Sequence, residues 1–151
     1  MVTAYLGLGA NLGDARAALL AAMDAIADID GVALTRRSAL YGSAPVDAGG
    51  DDYVNAVVQV QTRLSPHALL EQLQAIEQGA GRQRPYRNAP RTLDLDVLLY
   101  GQLQCHDATL ELPHPRMHQR AFVLRPLAEI APELVSAEQL QAVAGQAVWR
   151  L

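Results

Sequence analysis

Lysine is missing from this chain. All 12 basic residues are arginine. That excludes a P-loop lysine, a protein-kinase strand lysine, a Schiff-base lysine and a pyridoxal-phosphate lysine. Any phosphate chemistry must rest on arginine, backbone amides or metal. Cysteine is nearly missing too. Cys105 stands alone, so an internal disulfide is impossible, and its neighbour His106 with no second pair does not give zinc-ligand spacing. The sequence reading therefore sets a His-Cys-Asp zinc cluster aside and gives Cys105 no role. Aromatic side chains are only 5% of the chain, with one phenylalanine and one tryptophan, too few to pave an RNA-binding sheet face. The net charge of -4 argues against nonspecific nucleic-acid binding through a basic surface. No apolar run approaches the roughly 20 residues that span a bilayer. The start "MVTAYLGLGANLGD" lacks the basic head of a signal peptide. The expectation is a cytoplasmic, monomeric chain with no membrane and no nucleic-acid partner.

What is present is a hydrophobic half of a 151-residue chain, enough for one sizeable core, so a single domain over 1–151 is expected. "VTAYLGLG" (2 to 9) reads as a strand. The helical run "ARAALLAAMDAIADID" follows, with Asp14 as N-cap and Gly31 closing it. Residues 32 to 42 and 53 to 62 read as two further strands, joined by a loop that contains Pro45 and the Gly49-Gly50 pair. "SPHALLEQLQAIEQGAG" has Ser65 as N-cap and Pro66 at the first helical position. An arginine-rich stretch, 82 to 91, leads into a strand ending at Gly101. "SAEQLQAVAGQAV" (136 to 148) opens on a capping-box pattern and predicts a terminal helix. The order βαββαβ predicts an α+β, ferredoxin-like core with an antiparallel sheet, both helices on one face, and a C-terminal extension.

Within "RTLDLDVLLYG" (91 to 101) two carboxylates interrupt an apolar strand. Side chains alternate along a strand, so Asp94 and Asp96 share a face, roughly 7 Å apart along the backbone. Two like charges there need an arginine cluster, a metal ion or bulk water. Arg82, Arg84, Arg87 and Arg91 lie just upstream. They read either as a solvated basic loop pairing with the aspartates or, with Mg²⁺ on the carboxylates, as a triphosphate site. Arg116 and Arg120 flank the sole phenylalanine, Phe122, which is either core or one wall of a pocket for a flat ring. Tyr53 and Asn55 share a strand face and offer a stacking surface and an amide. "GLGANLG" lacks the third glycine of a dinucleotide loop, because Leu12 stands there, and reads instead as a tight strand-to-helix turn. His67, inside a helix, reads as a surface residue.

Several of these motifs together resemble the 6-hydroxymethyl-7,8-dihydropterin pyrophosphokinase family: "RNAPRTLDLDVLL" first, then "GLGANLGD", "DYVNAVV", "LPHPRM" and "RAFVLRPLAEIAP", in order along almost the whole chain. The resemblance implies transfer of the terminal pyrophosphoryl group of ATP to the hydroxymethyl oxygen of the pterin, releasing AMP, early in tetrahydrofolate synthesis. It implies that Asp94 and Asp96 hold two Mg²⁺ ions. Arg82, Arg91, His114 and Arg120 would meet the nucleotide's phosphates, with Arg116 also binding ATP, Arg84 and Arg87 on a closing loop and Gln74 and Glu77 lining the ATP site. Catalysis would centre on Arg82, Arg91, Asp94 and Asp96. Tyr53 and Phe122 would sandwich the pterin while Asn55, with groups of Ser43, Pro45 and Val46, reads its edge. The chain departs from some members at Asn88, where they carry tryptophan, and at Pro115, where they carry tyrosine.

Overall fold

The computed structural model describes residues 1–45, 51–80 and 93–151. Its centre is a strand whose alternate residues are small or aliphatic: β1 (Val2–Ala10) buries Ala4, Leu6, Leu8 and Ala10 on one face and turns Tyr5, Gly7 and Gly9 to the other. Beside it run β2 (Val32–Arg37), β3 (Tyr41–Ser43), β4 (Tyr53–Thr62) and β5 (Asp94–Tyr100). All pair antiparallel in the order β5-β1-β4-β3, with β2 also on β4.

The expected strand over 32 to 42 is two strands. Its register on β4 slips between Leu34 and Arg36, and β2 and β3 are separated by residues 38 to 40. Ser38 bridges that gap. Its N–H donates to the Val57 carbonyl (2.9 Å), while its hydroxyl oxygen accepts the Val57 N–H (3.0 Å) in place of a ladder carbonyl.

α1 (Ala15–Ala27) begins where Asp14 accepts the Ala17 N–H at 3.1 Å, and it ends ahead of Gly31, at Asp28. α2 (Pro66–Gly79) begins at Ser65, whose hydroxyl accepts the Ala68 N–H at 3.2 Å. The buried positions Leu19, Met23 and Ile26 of α1 and Leu69 and Leu73 of α2 pack on the Leu6, Val58 and Val97 face of the sheet. Each such fully buried side chain contributes about 1.5–3 kcal/mol. This is the expected ferredoxin-like core, with both helices on one face.

The C-terminal extension does more than append a helix. A small hairpin, β6 (Cys105–His106) with β7 (Glu111–Leu112), is followed by α3 (Ala121–Ile130) and a short α4 (Ala137–Ala142). α3 lays Val123, Leu124, Leu127 and Ile130 against Tyr5, Val57 and Leu98 on the sheet's second face. The expected helix over 136 to 148 stops at Ala142. Ser136 and Gln139 form the capping box as expected, but the chain then turns and enters the sheet as β8 (Val148–Arg150) beside β3. Trp149 lies directly over Gly42 there: a Cβ on Gly42 would fall 2.4 Å from the indole Nε1. Among the described residues no helix is long and apolar enough to cross a membrane.

Candidate active site

The second face of the sheet is only partly covered by α3. Beside it lies a cavity of about 720 Å³, within the range of small-molecule sites. Its floor is backbone. Gly7 and Gly9 pair with Asp96 and Asp94 of β5 on one side and with Val57 and Asn55 of β4 on the other, and they put no side chain into the space above them. Both glycines are inside β1, so the reading of "GLGANLG" as turn glycines applies to Gly13 alone, which has φ +64°. Two glycines at i and i+2 in a strand pattern share a face, and that signal was available in the sequence.

Asp94 and Asp96 do share a face, both half-buried, and both line the cavity, as alternation predicts; Leu95 and Val97 go to the core. Across the floor β4 contributes Tyr53 and Asn55, and β3 with the following residues contributes Ser43 and Pro45. Asn55 is 4% exposed, and its Nδ2–H donates to the Ser43 hydroxyl at 2.7 Å. A side chain on Gly9 would crowd the Asn55 Oδ1 at 3.3 Å.

The outer wall is the start of α3 with the turn before it: Arg116, Gln119, Arg120 and Phe122. The Arg120 guanidinium sits 5.4 Å from the Phe122 ring centre, a cation–π distance. Arg120 caps α3 without a side-chain bond. The capping comes from the C-terminal segment instead, because Gln146 accepts the Ala121 N–H and donates to the Gln119 carbonyl, both at 2.9 Å. Gln119 and Gln146 were not singled out in the sequence; only the long-range fold brings them here.

Of the expected site residues, the cavity brings together Ser43, Pro45, Tyr53, Asn55, Asp94, Asp96, Arg116, Arg120 and Phe122. His114 is not among the lining residues; it is half-buried and is held by its own N–H to the Leu98 carbonyl at 2.9 Å. Burial, reinforced by Arg120 and opposed by Asp94, pushes its imidazole below the ordinary histidine pKa. Gln74 and Glu77 are not on this wall. Their helix packs on the other face of the sheet, where Gln74 is exposed and Glu77 is buried, accepting the Leu95 N–H at 2.8 Å. That carboxylate stands at the outer edge of β5, where another strand's carbonyl would otherwise serve. Val46, Arg82, Arg84, Arg87, Asn88 and Arg91 lie outside the described residues.

Fold and cavity together define a ferredoxin-like α+β protein with an open cleft, carboxylates on its strand side and arginines on its helix side. A sequence profile described as 7,8-dihydro-6-hydroxymethylpterin-pyrophosphokinase (HPPK) matches residues 5–132. Proteins named 2-amino-4-hydroxy-6-hydroxymethyldihydropteridine pyrophosphokinase are similar along most of their length. That of Methylorubrum extorquens is 48% identical over 136 residues, covering 89% of this chain and 86% of its own. That of Haemophilus influenzae is 46% identical over 136 residues, 89% and 85%. The chain belongs to the HPPK family. Among solved structures, a Plasmodium falciparum HPPK-DHPS superposes with a TM-score of 0.64 at 15% identity, over 88% of this chain and 40% of that one. That likeness concerns the fold alone.

Proposed function

We propose that the cavity binds the pterin and the phosphates of ATP side by side, and that its residues act as follows in the family's reaction. The chain is an ATP-dependent pyrophosphokinase of hydroxymethyldihydropterin in folate biosynthesis. The hydroxymethyl oxygen attacks the β-phosphorus of ATP, the bond from that phosphorus to the α-phosphate oxygen breaks, AMP leaves, and the hydroxyl proton is released. The observation that carries this assignment is the joining, in one cavity, of a carboxylate pair with a tyrosine, a phenylalanine and a buried amide over a glycine floor.

Each group has a physical task. Tyr53 and Phe122 give a flat heterocycle two faces to rest on. Asn55, oriented by Ser43, offers an acceptor and a donor to its lactam edge. Arg116 and Arg120, together with the arginines of 82 to 91, oppose phosphate charge with guanidinium forks, the only fixed side-chain cations a lysine-free chain has. The donor set at Asp94 and Asp96, two carboxylates on one strand face, suits hard cations such as Mg²⁺, and we assign two ions to it. When bound, Mg²⁺ supplies Lewis-acid neutralisation of the triphosphate. The residues themselves hold the reactants in register, which is a large part of a bimolecular transfer's barrier.

The test is to incubate the protein with ATP, Mg²⁺ and 6-hydroxymethyl-7,8-dihydropterin and to separate the nucleotides, with Asp96→Asn in parallel. The expected result is AMP only when the pterin is present, and turnover lowered by about 100-fold or more in the variant. ADP as the pterin-dependent product would replace pyrophosphoryl by phosphoryl transfer. A fully active Asp96→Asn would sink the metal assignment.

A further inference from the structure

We infer that the chain carries a second metal site, for a zinc-class divalent ion, where the first turn of α2 meets the β6–β7 hairpin: His67 Nε2, Cys105 Sγ and Asp107 Oδ2 are its ligands. In sequence, His106 adjacent to Cys105, with no second pair, gives no zinc spacing. The histidine comes from elsewhere. His106 turns to Glu111, 3.6 Å away, while His67 arrives from the start of α2.

The three ligand atoms lie within 4.8 Å of one another. Nε2 is 2.7 Å from Oδ2, and Sγ is 3.5 Å from the same oxygen. Ordinary zinc bond lengths in a tetrahedron place such ligand atoms roughly 3.4–3.6 Å apart. The sulfur-oxygen spacing already has that value, the nitrogen-oxygen contact, now a hydrogen bond, opens by about 0.7 Å on binding, and the sulfur-nitrogen spacing lies within 4.8 Å.

The oxygen is aimed in advance. Asp107 Oδ1 is occupied by the Thr109 N–H (3.0 Å), the Thr109 hydroxyl (3.1 Å) and the Leu110 N–H (2.8 Å), which fixes the carboxylate and leaves Oδ2 for the site. Partners of this kind orient a metal ligand. The other two ligands sit on anchored backbone. His67 follows the Ser65 cap and Pro66, and Cys105 pairs with Leu112, a buried core residue. A nitrogen, sulfur and oxygen set favours zinc-class ions over Mg²⁺, and three protein ligands leave a fourth position open. The side chains of His67 and Asp107 are 47% and 43% exposed, so an ion reaches the site from solvent. α2 and Leu112 pack on the face of the sheet opposite the cavity. The ion would therefore brace helix to hairpin without entering the reaction.

Cobalt tests this because Cys105 is the only cysteine. A thiolate-to-cobalt charge-transfer band in the near ultraviolet therefore reports this site alone, whereas the oxygen donors at Asp94 and Asp96 cannot produce it. The metal-stripped full chain, titrated with Co²⁺, is expected to develop that band with tetrahedral visible bands at one equivalent, and Zn²⁺ should displace them. Cys105→Ser removes the charge-transfer band. His67→Gln and Asp107→Asn each weaken Co²⁺ binding about tenfold or more, while His106→Ala leaves it unchanged. Mg²⁺-dependent AMP production by each variant confirms that it is folded. No charge-transfer band in the parent chain, or a band of unchanged affinity in both His67→Gln and Asp107→Asn, overturns the site.

Discussion

Asn55 keeps its place through two neighbours, one supplying an oxygen and one supplying room. Ser43 receives its Nδ2–H at 2.7 Å, and Gly9 leaves space for Oδ1. That pairing was half legible: alternation put Tyr53 and Asn55 on one face, but which residue would lie opposite needed the β1–β4 register. Asp94 and Asp96 were fully legible, because a strand has only two faces. Glu77 was not, since nothing in a helix pattern says that a carboxylate will reach a strand's edge amide. His114 makes a prediction at this scale. Its folded pKa lies below the unfolded value of 6.5. As pH falls through 6.5 the unfolded chain takes up the proton first, so the contribution of His114 is intact above 6.5 and is lost below it. Urea unfolding between pH 5 and 8 should therefore show the parent losing more stability on acidification than His114→Gln. A gap between the two that does not change with pH would count against it.

α3 and β8 escaped the sequence pattern for different reasons. α3 contains Pro126, which has no N–H for the Phe122 carbonyl, and intrinsic propensity disfavours a proline there. Burial of Leu124, Leu127 and Ile130 against the sheet outweighs that cost. β8 was hidden because its partner, β3, lies a hundred residues upstream, and a three-residue strand has too short a pattern to separate from the end of a helix. The break between β2 and β3 was equally invisible, since Ser38 and the Glu129 carboxylate that accepts the Ala39 N–H and the Tyr41 hydroxyl act across the fold. The fit of β8 is open to test. Gly42→Ala drives a methyl into the Trp149 indole and should cost about 1–3 kcal/mol in chemical denaturation. In a Trp149→Ala background the cost should largely disappear. An equal loss in both backgrounds would mean that the indole is not the obstacle.

At the scale of the molecule, one sheet divides two kinds of surface. The α1 and α2 face is closed core, and the other is shared between α3 and the cavity. The helical core could be anticipated because its periodicities are local; the cavity wall is assembled from β1, β4, β5 and a C-terminal segment that turns back on them, so much of it, Arg116 and Arg120 among them, was legible only through the family resemblance, and Gln119 and Gln146 not at all. Ligand in this cavity should stabilise the whole fold by mass action, by about 2.7 kcal/mol at a hundred times its Kd, and denaturation with and without the dihydropterin measures it. No gain at saturating pterin would count against the site. The molecule also supplies its own gauge for such work. Trp149 is the only tryptophan, it is 38% exposed, and the glycine beneath it adjoins Ser43. Its fluorescence therefore reports from a single seam, where β8 meets the strand whose Ser43 lines the cavity, and it does so without an attached dye.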